Sequence, residues 1–169
     1  MKHKFLFSVF VIFFILVFIS LGSWQIIRLN WKNNLISEIE TSLKNPPIEL
    51  SEENITNYLK IKTSGSIDFD KQIYLYNLNE KGTPGFEVIN PITIDSKNYL
   101  INRGWIPFAK KGSEEIYEFD ETNIIGTLKS QGRKNIFKPD NDIKENYWFS
   151  LDREDILEFT GKEFSNYII

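Results

Sequence analysis

Residues suited to recognition are concentrated in Tyr99-Leu100-Ile101-Asn102-Arg103-Gly104-Trp105-Ile106-Pro107. A guanidinium between aromatic neighbours can lie on a ring face and still present its fork of donors to a carboxylate. Arg103 therefore suits an acidic group on a partner or a ligand's carboxylates, or else an internal ion pair with one of the chain's own Asp or Glu. On a regular strand, Tyr99, Ile101, Arg103 and Trp105 share one face, and Leu100, Asn102, Gly104 and Ile106 share the other. Gly104 inside that run suggests a bulge or a close backbone approach.

Other constellations are weaker. Phe137-Lys138-Pro139-Asp140-Asn141-Asp142 precedes Asn146-Tyr147-Trp148. Asp140 and Asp142 could face a hard cation, but the glycine and later Glu of a calcium loop are missing. A capped turn leading into a strand is the favoured reading. Gly126 and Gly132 read as turn glycines, since Gly132-Arg133-Lys134 lacks phosphate-loop spacing. Glu114, Glu115 and Glu118 read as a solvated loop. With Cys 0, disulfides, thiolate metal sites, iron–sulfur clusters and a cysteine nucleophile are excluded. A single histidine, His3, excludes a His–His metal pair and weakens every Ser/His scheme. No nucleophile, base and orienting group come together, which argues against an enzyme and against a bound metal.

These residues need a scaffold, and the chain of 169 residues divides sharply in composition. Residues 5–27 form an uncharged run of 23, holding 6 of the 14 Phe. As a helix this run spans roughly 35 Å, enough for a hydrocarbon core of about 30 Å. It exceeds the apolar stretch of an ordinary signal peptide, and no A-x-A site follows, so a retained anchor is expected. Lys2 and Lys4 precede the run while Arg28 and Lys32 follow it, so flanking charge orients it weakly. Without Lys2 and Lys4 the remainder holds 18 basic against 23 acidic residues, net −5. That balance argues against nucleic acid and for a domain across the membrane from a cytoplasmic or matrix-side N-terminus.

Trp24, Arg28, Trp31 and Leu35 recur at helical spacing, with no Pro or Gly between Ser23 and Asn45. The helix is expected to run on past the membrane surface until Pro46-Pro47. Trp24, Arg28 and Trp31 read first as interfacial anchors and second as contact residues. The organisation is thus a transmembrane helix with an amphipathic extension over 1–45 and a β-rich extracytoplasmic domain over 46–169.

Ser51 is placed to cap a short helix reaching about Leu59. Strand-like runs cover 61–67, 72–78, 86–94, 99–106, 124–128 and 147–151, most of them rich in Ile, Tyr, Phe or Trp. A loop over 79–85 and a hairpin-sized Asp95-Ser96-Lys97-Asn98 separate several of them. Asp152 caps a helix over 153–160, closed by Gly161. The fold class expected is α+β: an N-terminal transmembrane helix, then a mainly antiparallel, barrel-like β domain with short helices.

Three separated blocks resemble the surfeit-locus family of cytochrome c oxidase assembly proteins. They are Leu21-Gly22-Ser23-Trp24-Gln25 with Arg28, Trp31-Lys32 and Leu35-Ile36; Gly82, Gly85 and Pro91 leading into Asn102-Arg103-Gly104-Trp105-Ile106-Pro107; and Gly126, Phe137, Pro139, Asn141, Asn146, Trp148 and Asp152. The resemblance implies a non-enzymatic inner-membrane factor, bacterial or mitochondrial, with its domain in the periplasm or intermembrane space. Its partners would be membrane lipid and oxidase subunits or assembly intermediates, and haem a its possible cofactor. It makes Trp24, Arg28, Asn102, Arg103 and Trp105 candidates for partner contact, with Arg28, Arg103 and the two indoles also placed for haem propionates. The family resembles a helix–domain–helix arrangement with a haem-ligand histidine in the second span. This chain ends at Asn166-Tyr167-Ile168-Ile169 with His3 at the opposite end, so it reads as a fragment or as a member without that ligand. The alternative function is a membrane-tethered binding module for a peptide or envelope component, using Trp105, Trp148 and Tyr99 as its surface.

Overall fold

Lys2–Lys44 forms one helix, α1, of 43 residues. Past its first turn, the apolar half of the helix satisfies its backbone groups internally, as hydrocarbon requires. Ser8 Oγ donates to the Lys4 carbonyl at 3.0 Å and so hides its hydroxyl in the same way. At about 1.5 Å per residue the helix is roughly 65 Å long, twice a hydrocarbon core. It is long and apolar enough to cross a membrane, and none of its most apolar window is buried. Proline at 46 and 47 ends it. In this computed structural model, which describes residues 2–113, 119–132 and 137–169, the chain divides into two compact units, Met1–Lys44 and Asn45–Ile169. The expected loop at Glu114, Glu115 and Glu118 lies outside the described residues, as do Arg133 and Lys134.

The second unit is mostly sheet. Its strands are β1 (Ile48–Glu49), β2 (Lys60–Thr63), β3 (Ser66–Ile67), β4 (Ile73–Leu78), β5 (Pro84–Ile94), β6 (Lys97–Pro107), β7 (Ile124–Thr127), β8 (Lys129–Ser130) and β9 (Tyr167–Ile168). One sheet has the order β1-β2-β7; the other has β3-β5-β6-β9-β8, with β4 also on β5. Pairing is antiparallel except for β1 with β2 and β6 with β9. The expected α+β class holds, but the sheets stay open and do not close into a barrel.

Several expected elements change, each for a local reason. The run 61–67 splits into β2 and β3, which belong to different sheets. Gly65 lies at the crossing, where a Cβ would come within 2.7 Å of the Thr93 carbonyl oxygen. The helix expected from Ser51 to about Leu59 shrinks to a 3₁₀ turn, Glu52–Asn54. Asn54 competes with helical bonding: Oδ1 accepts from Ser51 N at 3.1 Å and Nδ2 donates to the Glu49 carbonyl at 3.2 Å. The expected strand 147–151 contributes only single bridges, Trp148 to Leu75 and Tyr147 to Asp142. Helix α2, Arg153–Thr160, is as expected: Asp152 Oδ1 accepts from Glu154 N at 3.1 Å, and Gly161 closes it at φ 72°.

The apolar residues of β5 and β6 supply both sides of the larger sheet. On one side Ile73, Ile89 and Leu100 pack with Trp148 and with Ile156 of α2. On the other, Ile92, Tyr99 and Ile101 meet Ile61 and Ile124 of the smaller sheet and Leu128, which follows β7.

Candidate functional site

Strands β5 and β6 are joined through Asp95 and Ser96, both at positive φ (46° and 66°), as a two-residue hairpin turn requires. Their register is regular from Ile94↔Lys97 to Ile89↔Asn102, then resumes at Glu87↔Trp105. β6 thus spends one more residue than β5, a bulge at Arg103-Gly104. Gly104 takes φ 110°, a conformation that side chains resist, and its N–H donates to Asn102 Oδ1 at 2.9 Å.

The bulge overturns the simple alternation. Leu100 and Asn102 pair with Pro91 and Ile89, and Trp105 pairs with Glu87, so Asn102 and Trp105 share one face. Arg103 lies on the other, with Ile101 and Ile106. The expectation that Arg103 and Trp105 act from one side fails because an inserted residue shifts the phase of every later position.

On the Asn102 face, Glu87 gathers two amides: Oε1 accepts from Asn77 Nδ2 at 2.6 Å and Oε2 from Asn102 Nδ2 at 3.0 Å. Trp105 Nε1 donates to the Asn77 carbonyl at 3.1 Å. The indole can lie there because position 85 is glycine; a Cβ would run into the ring and the Ile106 carbonyl. Beside this cluster is a cleft of about 390 Å³ with Leu75, Ile89 and Ile168 among its apolar lining, Asn77, Glu87 and Asn102 among its polar lining, and Lys129 and Lys138 also on its walls. This volume and mixture are those of a small binding site.

On the opposite face, Arg103 Nη1 donates to Gln72 Oε1 and to Asn90 Oδ1, each at 3.1 Å. The guanidinium carbon lies 4.9 Å from the Phe69 ring centre and 5.3 Å from that of Phe119. The aromatic stacking expected of Arg103 is present, but its rings come from Phe69 and Phe119 rather than from its neighbours along β6. The bonds continue inward. Gln72 Nε2 donates to Tyr74 Oη at 2.7 Å, which also accepts from Gly112 N at 2.9 Å, and Asn90 Nδ2 donates to the Asp68 carbonyl at 3.0 Å. Gln72 and Asn90 are buried, so Arg103 satisfies oxygens that would otherwise lose hydration without compensation.

The third sequence block is a second polar lattice. Asn141 Oδ1 accepts from Phe149 N at 2.8 Å and Ser150 N at 3.1 Å, while Nδ2 donates to Asp155 Oδ2 at 2.6 Å. Asn146, at φ 50°, accepts from Trp148 Nε1 at 2.9 Å and donates to the Gln72 carbonyl at 2.7 Å. Trp148 is fully buried and Tyr99 only 4% exposed, so neither forms a recognition surface with Trp105. Asp142 Oδ1 accepts from Glu145 N at 3.0 Å, the work of a turn. Among the described residues no cluster of acids or histidine could hold a metal ion.

Sequence reasoning missed Glu87, Asn77, Gln72 and Asn90. Asn90 carried a readable signal, a polar residue within the apolar run Val88-Ile89-Asn90-Pro91-Ile92, since a buried amide demands partners. Lys111 was also missed. Its Nζ lies 5.4, 5.5 and 5.9 Å from the ring centres of Tyr74, Phe86 and Tyr147 and donates to the Glu145 carbonyl at 2.7 Å. Burial, and secondarily Tyr76, pushes the Tyr147 phenol above its ordinary value.

The sequence profile of the SURF1 family matches residues 12–168. The chain belongs to the SURF1 family. Among its relatives, a SURF1-like protein of Rickettsia conorii is 33% identical over 176 residues, covering 100% of this chain and 71% of that protein. A SURF1-like protein of Dictyostelium discoideum is 28% identical, covering 89% of this chain and 71% of the relative. Human Surfeit locus protein 1 is 26% identical, covering 85% of this chain and 56% of the human protein.

In this SURF1-family chain, Trp24 and Arg28 lie on α1, with Trp24 53% exposed and the Arg28 guanidinium carbon 5.4 Å from the Trp31 ring centre. Asn45–Ile169 contains no histidine, cysteine or methionine. That donor set does not fit a haem held by an imidazole, thiolate or thioether in the domain. Asn102 is exposed and Trp105 half-buried on one face of β6, and the Arg103 guanidinium is bonded on the other.

Proposed function

We propose that the chain is a membrane-anchored assembly factor for cytochrome c oxidase that acts without turnover. Membership of the SURF1 family along residues 12–168 carries this reading. The link to oxidase is what the surfeit-locus resemblance implies. Helix α1 would anchor the chain in a bacterial or mitochondrial inner membrane, N-terminus on the cytoplasmic or matrix side. The acidic second unit supports its placement in the periplasm or intermembrane space.

Partner contact is assigned to Asn102 and Trp105 beside the cleft, and to Trp24 and Arg28 at the membrane interface. Arg103 is proposed to hold that contact face in shape from behind. The partner is an oxidase subunit or assembly intermediate. The chain would assist haem a insertion by holding the receiving subunit; Asn45–Ile169 has no histidine, cysteine or methionine to ligate the haem.

Deletion is expected to lower assembled oxidase and haem a content while transcript levels stay constant. Normal oxidase in the deletion strain would overturn the reading. A tethered binding module for a peptide or envelope component is the second reading, favoured by the partly apolar cleft. Pull-down of envelope components without oxidase subunits would favour it.

A further inference from the structure

Phe137 is 88% exposed, more than any other large hydrophobic side chain described, including those of α1. It is presented by a built turn. Lys138 Nζ donates to the Phe149 carbonyl at 2.8 Å, and Asn141 holds the backbone of Phe149 and Ser150 a few residues on. Lys138 directly follows Phe137 in the chain, and Lys129 lines the same cleft as Lys138.

Charge sets the segment apart from an acidic domain. Residues 122–139 contain Lys129, Arg133, Lys134 and Lys138 and no Asp or Glu. The interval 96–113 is equally free of acids and also holds four cations, but it offers no comparable patch. There Arg103 is half-buried against amides and rings and Lys111 against three rings and a carbonyl, whereas Lys138 is exposed and makes a carbonyl bond at a turn. Lys97 and Lys110 stand at opposite ends of β6 and its following turn. Glu87 lines the same cleft, where Asn77 and Asn102 bind both of its oxygens, and Asp140 is the first acid after the segment along the chain.

We infer that the rim formed by Lys129, Phe137 and Lys138 rests on an anionic lipid surface, with the Phe137 ring in the headgroup layer. Lysines and an aromatic ring are the pair that settles at such an interface. A protein interface core is instead depleted in lysine. The inference rests on α1 being a retained membrane anchor, which keeps a bilayer within the domain's reach.

The chain has no cysteine, so Phe137→Cys supplies a single attachment point for a nitroxide spin label. The full-length variant is reconstituted into vesicles of phosphatidylcholine alone, or of phosphatidylcholine with phosphatidylglycerol. A Glu158→Cys label on α2 is the reference. The label at 137 is expected to be shielded from a water-soluble paramagnetic reagent and exposed to oxygen only in the phosphatidylglycerol vesicles. High salt should abolish that shielding. Lys129→Gln should lower the ratio of docked to undocked domain about fivefold. Equal water exposure in both lipids overturns the inference. So does shielding that persists in neutral vesicles or detergent, which would assign the rim to a polypeptide partner, and so does equal shielding at position 158. Vesicle flotation reads the anchor separately: a chain that does not float removes the premise, whereas one that floats with a water-exposed label removes the rim alone.

Discussion

Gly104 decides what Asn102, Arg103 and Trp105 can do. At φ 110° it lets β6 insert one residue, sending Arg103 to one face and Trp105 to the other. Gly104→Ala is expected to lower stability by about 1–3 kcal/mol, the usual strain of such a conformation, in urea unfolding followed by circular dichroism. An unchanged midpoint would mean that the bulge relaxes freely. Arg103→Ala should cost roughly 3 kcal/mol, because Gln72 Oε1 and Asn90 Oδ1 both lose a charged donor beside buried side chains. Arg103→Lys should recover part of this, since an ammonium keeps the charge but not the planar fork. If Arg103→Ala unfolds at the wild-type urea midpoint, the inward bonds carry no stability. The bulge itself was legible from a glycine inside a strand. The direction of Arg103 was not, because period-two counting holds only until a residue is inserted, and the partner amides lie 31 and 13 positions away in sequence.

At the level of elements, local chemistry was readable wherever a cap or turn was built from neighbours, as at Asp152, Gly161 and the Asp95-Ser96 turn. It failed where a distant strand decided the outcome: Gly65 breaks a run of strand formers only because β5 passes so close. The turn also bears on Tyr99. Burial first, and the Asp95 charge second, hold the Tyr99 phenol above its ordinary value of about 10. A raised folded pKa means the folded state keeps the proton more tightly. The resulting stability is fully present below about pH 10 and is lost as pH rises through the folded value. Asp95→Asn should move the Tyr99 titration towards the ordinary value without reaching it, read as the difference in tyrosinate absorbance between that variant and its Tyr99→Phe derivative. A titration that does not move would remove Asp95 as a cause. Ser96→Gly should stabilise the hairpin by about 0.5–1 kcal/mol, because Ser96 now sits at φ 66° with a Cβ.

At the scale of the molecule, the uncharged run 5–27 falls within the first structural unit, Met1–Lys44. Helix α1 exposes the apolar side chains of its uncharged run, residues 5–27, whereas the β-rich unit turns its own into clusters drawn from Leu50 to Ile169. An outward apolar surface on one unit and an inward one on the other have different solvents, so their stabilities are separable in principle. The anchor keeps its place through lipid; the sheets keep theirs through Ile61, Ile89, Leu100 and Trp148, each no more than 1% exposed. Residues 45–169 expressed without α1 are therefore expected to remain in the aqueous fraction, with the negative net charge favouring solubility, and to unfold in one cooperative transition with strand-type circular dichroism. The full chain should stay with vesicles through an alkaline carbonate wash, which strips proteins held by charge alone. If the isolated unit aggregates or melts without cooperativity, its clusters are not a sufficient core and α1 supplies part of the fold. If it folds, truncating Trp148 to alanine should cost about 3–5 kcal/mol and abolish the transition near physiological temperature, since the indole fills the space between α2 and the larger sheet.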